Sequence, residues 1–138
     1  MFGLLKRKAR AHAPPRSDYD LSTWDEFGYL ALKGFFDPAR VKAANTEVDR
    51  LWKERNTPDN PYVIDIFLGT SKESRVFFRS CPEEARQVPH KLNDLFLSNP
   101  IIQNLSLDPK LADILRYLLQ ADPVVCNSLT FEFGSQQE

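Results

Sequence analysis

The sequence predicts an α+β fold in which helices buttress one side of a mainly antiparallel sheet. Three observations carry this. Asp37-Pro38 and Asp108-Pro109 each precede an amphipathic stretch, residues 62–68 and 75–78 are rich in aromatic and β-branched side chains, and residues 124–133 close in a period-two alternation. A wholly helical reading fails on these strand-like segments.

With 138 residues, of which 42 % are hydrophobic and 12 % aromatic, the chain suffices for one domain with a packed core. A formal charge of −1 supplies no global basic field, and no basic cluster is interleaved with aromatics, which argues against a nucleic-acid partner. Cys81 and Cys126 are too few for a disulfide framework and lack zinc-site spacing, so they read as ordinary thiols of a reducing, cytoplasmic setting. Residues 1–21 read as a basic, disordered tail. Lys6, Arg7, Lys8 and Arg10 follow an apolar start too short for a signal-peptide core, leaving a solvated tail or a weak interfacial anchor. No apolar run is long enough for a transmembrane helix.

The folded part is expected over residues 22–138. Thr23 with Glu26 three residues on has capping-box spacing and predicts a short helix ended by Gly28. Residues 29–33 read as a strand. Asp37 caps and Pro38 opens the next helix, with Val41, Ala44, Val48, Leu51 and Trp52 forming one apolar stripe to about Glu54. Residues 56–61 are a loop by composition. The runs 62–68 and 75–78 fit a hairpin or two adjacent edge strands. Residues 91–97 read as a short helix, and Asp108-Pro109 opens a helix striped by Leu111, Ile114, Leu115, Leu118 and Leu119. Residues 121–123 turn the chain into a last strand. By parity, Asn127 shares a face with Leu129, Phe131 and Phe133, directed toward the core or a cavity, while Thr130 and Glu132 face the other way.

The residues alone give no catalytic constellation. His12 and His90 lack metal-ligand spacing, and His90, beside Pro89, reads as a solvated loop side chain. No Gly-rich phosphate loop or nucleophile motif is present. Asp65 is a polar candidate inside an apolar strand, equally explained by an edge or outward position.

The stretch 27–41, with Gly28-Tyr29, an apolar segment, Gly34-Phe35 and a capped helix, resembles the N-terminal signature of the phytanoyl-CoA dioxygenase-like family. Residues 111–125 are similar to that family's second helix and the strand that follows it. The resemblance spans roughly residues 22–138. It implies a double-stranded β-helix, a jelly roll of the cupin type, of which this chain would hold the N-terminal helices and strands, ending before most of the barrel. It further implies iron(II), 2-oxoglutarate and the hydroxylation of a small organic substrate.

The family's iron is held by His-x-Asp and a distal histidine. No His-x-Asp occurs in this sequence. The resemblance therefore assigns no catalytic or metal residue here and implies a chain that is silent by itself. It does suggest cofactor-lining residues. Lys91 looks like a lysine that helps bind 2-oxoglutarate in some relatives, with a surface lysine as the alternative. Asn127 points to the core or cavity, and Gln136 and Gln137 sit where the iron motif would begin. A rival reading is a non-catalytic module that binds a partner through an exposed strand edge.

Overall fold

A computed structural model describes residues 11–16 and 18–132. Lys6, Arg7, Lys8, Arg10, Phe133, Gln136 and Gln137 lie outside the described residues. The fold comprises two compact units, one from the described residues of Met1–Phe35 with Leu107–Val124, the other from those of Phe36–Ser106 with Val125–Glu138.

In the first unit, α1 spans Thr23–Phe27. Thr23 is its first residue rather than its cap: Asp20 Oδ1 accepts from the Ser22 amide at 2.9 Å and its hydroxyl at 2.6 Å, fixing the entry to the helix. Gly28 ends it as expected, with φ at 74° and its amide donating to the Trp24 carbonyl at 3.0 Å. The strand expected at 29–33 is not formed. Leu30 and Leu32 do alternate inward, but the Leu32 carbonyl accepts from the Phe35 amide at 3.3 Å and the chain turns instead of pairing.

The second unit holds α2, Pro38–Lys53. Asp37 Oδ1 accepts from the Ala39 amide at 2.6 Å, and Pro38 needs no partner for an amide hydrogen it lacks. Ala44, Val48, Leu51 and Trp52 are buried as the stripe predicts, whereas Val41 is 41 % exposed. β1 (Val63–Ile66) and β2 (Ser74–Phe77) form the antiparallel hairpin. Phe67 and Gly69 adopt left-handed backbone in the connection.

Residues 91–97 are not a helix. His90–Asn93 is strand β3, Asp94 turns left-handed at φ 54°, and only Leu95–Leu97 coils, as a single 3₁₀ turn. Leu92, Leu95 and Phe96 suit a helical stripe by spacing, but the alternation of buried and half-buried residues from His90 to Asn93 is a strand's. α3, Pro100–Ser106, was not anticipated, although Asn99 gives the same signal as Asp37 and Asp108. Its Oδ1 accepts from the Ile101 and Ile102 amides, both at 3.1 Å.

Back in the first unit, α4 is Pro109–Leu119, with Asp108 Oδ1 accepting from the Lys110 and Leu111 amides at 2.9 and 3.3 Å. The final strand β4 is shorter than expected, Leu129–Phe131, and belongs to the second unit.

The sheet is antiparallel throughout, in the order β2-β1-β3-β4. One side is the core: Ile64, Ile66 and Leu92 pack with Ala44, Val48, Leu51 and Trp52 of α2 and with Phe78, Leu95, Phe96 and Ile102. Trp52 meets Phe78 edge-on at 4.7 Å. Removing each such side chain from water contributes about 1.5–3 kcal/mol, which makes α2 the element that holds this side of the sheet. Among the described residues no helix is long and apolar enough to cross a membrane.

Candidate functional site

Antiparallel register places side chains of all four strands in rows. Arg75, Asp65, Lys91 and Phe131 are direct cross-strand neighbours, and so are Phe77, Val63, Asn93 and Leu129. Both rows lie on the side opposite the core, because Ile64 and Leu92, between them in sequence, are fully buried. This face is partly open: Phe77 is 53 % and Leu129 46 % exposed.

Asp65 is the centre of the first row and is buried on an interior strand, not at an edge. Arg75 forks onto it, Nε to Oδ1 at 2.6 Å and Nη2 to Oδ2 at 2.9 Å. Lys91 Nζ approaches Oδ2 at 3.2 Å from the other side. The Arg75 hydrogen bonds hold the Asp65 carboxyl below its ordinary range; burial opposes them and Lys91 adds to them. Cations thus flank one ionised carboxylate, and the row as a whole is electropositive. Such an arrangement can receive a further carboxylate through the remaining N–H donors of Arg75 and Lys91.

Of the residues singled out from sequence, Asp65 and Lys91 are placed on this row. Asn127 is exposed ahead of β4, with Cys126 Sγ 3.9 Å from its Oδ1. It precedes β4 and takes no part in the ladder, and the Leu129 and Phe131 side chains lie on the open side and not in the core. Gln136 and Gln137 lie outside the described residues.

His90 is the clearest correction. It is 1 % exposed on β3, not a loop side chain, and stands edge-on to Trp52 at 5.2 Å. Its Nδ1 lies 2.8 Å from the Val88 carbonyl oxygen and its Nε2 2.9 Å from Glu132 Oε2. Glu132 does face away from Leu129, and that direction leads to the packed side. There it accepts from Trp52 Nε1 at 2.6 Å and from Arg86 Nη2 and Nε at 2.7 and 3.1 Å. Burial pushes the Glu132 carboxyl up, but the hydrogen bonds from His90, Arg86 and Trp52 outweigh it and bring it down to about 2. Arg86 also pairs with Asp49 and sits over the Trp52 ring. The one available signal for this cluster was parity: His90 shares a face with Leu92 at two residues' distance.

Cys81 is buried, which pushes its thiol up, and Cys126 is exposed; both are free. The first unit has a pocket of about 560 Å³ lined by residues that include Arg16, Tyr19, Phe35, Lys110 and Tyr117. Among the described residues no group of three or more His, Cys, Asp or Glu is placed to hold a metal ion.

A family model described as Phytanoyl-CoA dioxygenase (PhyH) matches residues 24–136. No curated protein and no solved structure matches the chain.

Proposed function

The chain belongs to the phytanoyl-CoA dioxygenase family, and from that premise we propose that it is the N-terminal part of an enzyme that hydroxylates a small organic substrate. The family implies a cupin-like jelly roll and 2-oxoglutarate-dependent dioxygenase chemistry with iron(II). On this reading the four-stranded sheet is one wall of the barrel and the Arg75-Asp65-Lys91-Phe131 row faces its interior.

The observation that carries the proposal is the position of Lys91. Its ammonium stands on the open side of an interior strand, steadied by Asp65 at 3.2 Å, between Arg75 and Phe131 in the row. A cation so held suits a carboxylate of 2-oxoglutarate, and the neighbouring row, apolar at Phe77, Val63 and Leu129 and polar at Asn93, supplies a mostly apolar surface from which water is excluded when it is covered.

The residues present do not fit the iron. His90 spends both ring nitrogens on Val88 and Glu132, and the sequence contains no His-x-Asp. The 138-residue chain by itself is accordingly inactive in this proposal. Incubating it with iron(II), 2-oxoglutarate and oxygen is expected to yield no succinate above the protein-free blank; succinate formation that depends on the protein overturns this. Coding sequence beyond Glu138 that carries an in-frame His-x-Asp within a few codons supports the enzyme.

A second reading rests on exposure. β4 is an edge strand of the described sheet, and its first residue, Leu129, is 46 % exposed. A module that binds a partner by adding a strand at that edge would behave as a stable, monodisperse species with a stop codon after Glu138.

A further inference from the structure

The packed side of the sheet holds an ionic cluster for which the cosubstrate chemistry has no use. The His90 side chain is fully enclosed. A carbonyl oxygen has no proton to give, so at 2.8 Å from Val88 the Nδ1 must be the donor. On the other side of the ring, Glu132 already accepts from a guanidinium and an indole N–H, which keeps its carboxylate ionised, so Nε2 at 2.9 Å must donate as well. A neutral imidazole carries only one N–H and cannot serve both acceptors.

We propose that His90 is held as an imidazolium and that the His90–Glu132 pair is a proton-controlled clasp docking β4 onto β3 and α2. Charge bookkeeping agrees with the hydrogen bonds. Among the described residues Asp49 of α2, Arg86 of the 83–87 turn and Glu132 face this cluster, and an imidazolium adds a second cation beside its two carboxylates. Lys91 is on the opposite face and does not take part.

β4 is only Leu129–Phe131, and besides its pairing with β3 it is tied by Asp94 and Ser128, whose amides donate to the Ser128 carbonyl at 2.8 Å and to Asp94 Oδ1 at 2.9 Å. The clasp secures the other end. Loss of the proton breaks one of the two ring hydrogen bonds, and β4 loosens with Phe131, the neighbour of Lys91. The consequence for cosubstrate binding rests on the function proposed above; the clasp itself does not.

Nitrogen NMR on the isotopically labelled 138-residue chain reads both His90 ring nitrogens. Both are expected to carry protons at neutral pH, and hydrogen exchange of the β4 amides paired with β3, corrected for intrinsic rate, to accelerate about tenfold when the ring deprotonates. Glu132→Gln is expected to abolish that pH step, whereas Trp52→Phe, which leaves the pair intact, retains it. An unprotonated ring nitrogen at neutral pH, or β4 protection that stays level as the ring deprotonates, overturns the proposal. The wild-type titration decides it even if the variants fail to fold.

Discussion

Asp65 and Arg75 face each other directly across the β1–β2 pair, joined by two hydrogen bonds of 2.6 and 2.9 Å, and Lys91 closes on the same carboxylate from β3. An interior strand of an otherwise apolar run thus carries an ionised group whose partners come from both adjacent strands.

Asp65→Asn is expected to destabilise the chain by about 1–2 kcal/mol, since it removes charge-assisted hydrogen bonds and leaves cations facing each other across a neutral amide. Arg75 is largely solvated, which keeps the figure at the low end for a buried carboxylate. Urea midpoints compared with those of Lys91→Met measure it. A loss from Lys91→Met as large as that from Asp65→Asn would contradict the assignment of Asp65 as the centre of the row.

Acid should weaken the fold through Glu132. Its folded value, about 2, is depressed from the ordinary 4.5, so its contribution is fully present above about 4.5 and is lost as pH falls toward 2. Denaturation between these pH values on wild type and Glu132→Gln measures it: the wild type is expected to lose stability more steeply, and identical slopes would show that Glu132 is not the group responsible.

Asn99→Ala is expected to cost about 2 kcal/mol, more than an ordinary helix cap. Asn99 is buried, caps α3 through Oδ1, and donates from Nδ2 to Glu47 Oε1 at 2.5 Å. Asn99→Asp keeps the cap but sets two carboxylates together, so it should also destabilise. A thermal melt in which Asn99→Asp equals wild type would refute the role given to the Glu47 bond.

Phe78→Ala is expected to remove about 3–5 kcal/mol, because the ring is wholly buried against Trp52 and the cavity left behind cannot collapse without moving α2. Phe77→Ala, one residue away on the open face, should change stability by less than about 1 kcal/mol. Comparable losses in chemical denaturation would mean that the two sheet faces have been interchanged.

Much of the architecture was readable because capping is local. Asp37 and Asp108 bond amides two or three residues away, so Asx-Pro followed by an apolar stripe locates α2 and α4 without tertiary information. Asn99-Pro100 carries the same signal for α3. The errors fall where two periods fit one segment. Leu92, Leu95 and Phe96 suit a helix, His90 and Leu92 suit a strand, and the ladder to Val63–Ile66 decides for the strand. Residues 29–33 alternate properly but pair with no strand among the described residues, and alternation alone does not supply hydrogen bonds.

The candidate site divides in the same way. Parity, a property of the extended backbone, groups Leu129 with Phe131 and sets Glu132 apart from them, and the sequence by itself determined that grouping. It also determined the family, through the matched residues 24–136. Only the tertiary structure decided which side of the sheet is covered, because that depends on where α2 docks. Trp52 reaches Glu132 across 80 residues of chain and Asn99 reaches Glu47 across 52. Contacts of such separation leave no periodic trace in the sequence, since nothing local constrains either partner. That is why His90 and Glu132, unremarkable in the linear chain, meet at 2.9 Å on the packed side of the sheet, while Lys91 stayed on the side the helix leaves open.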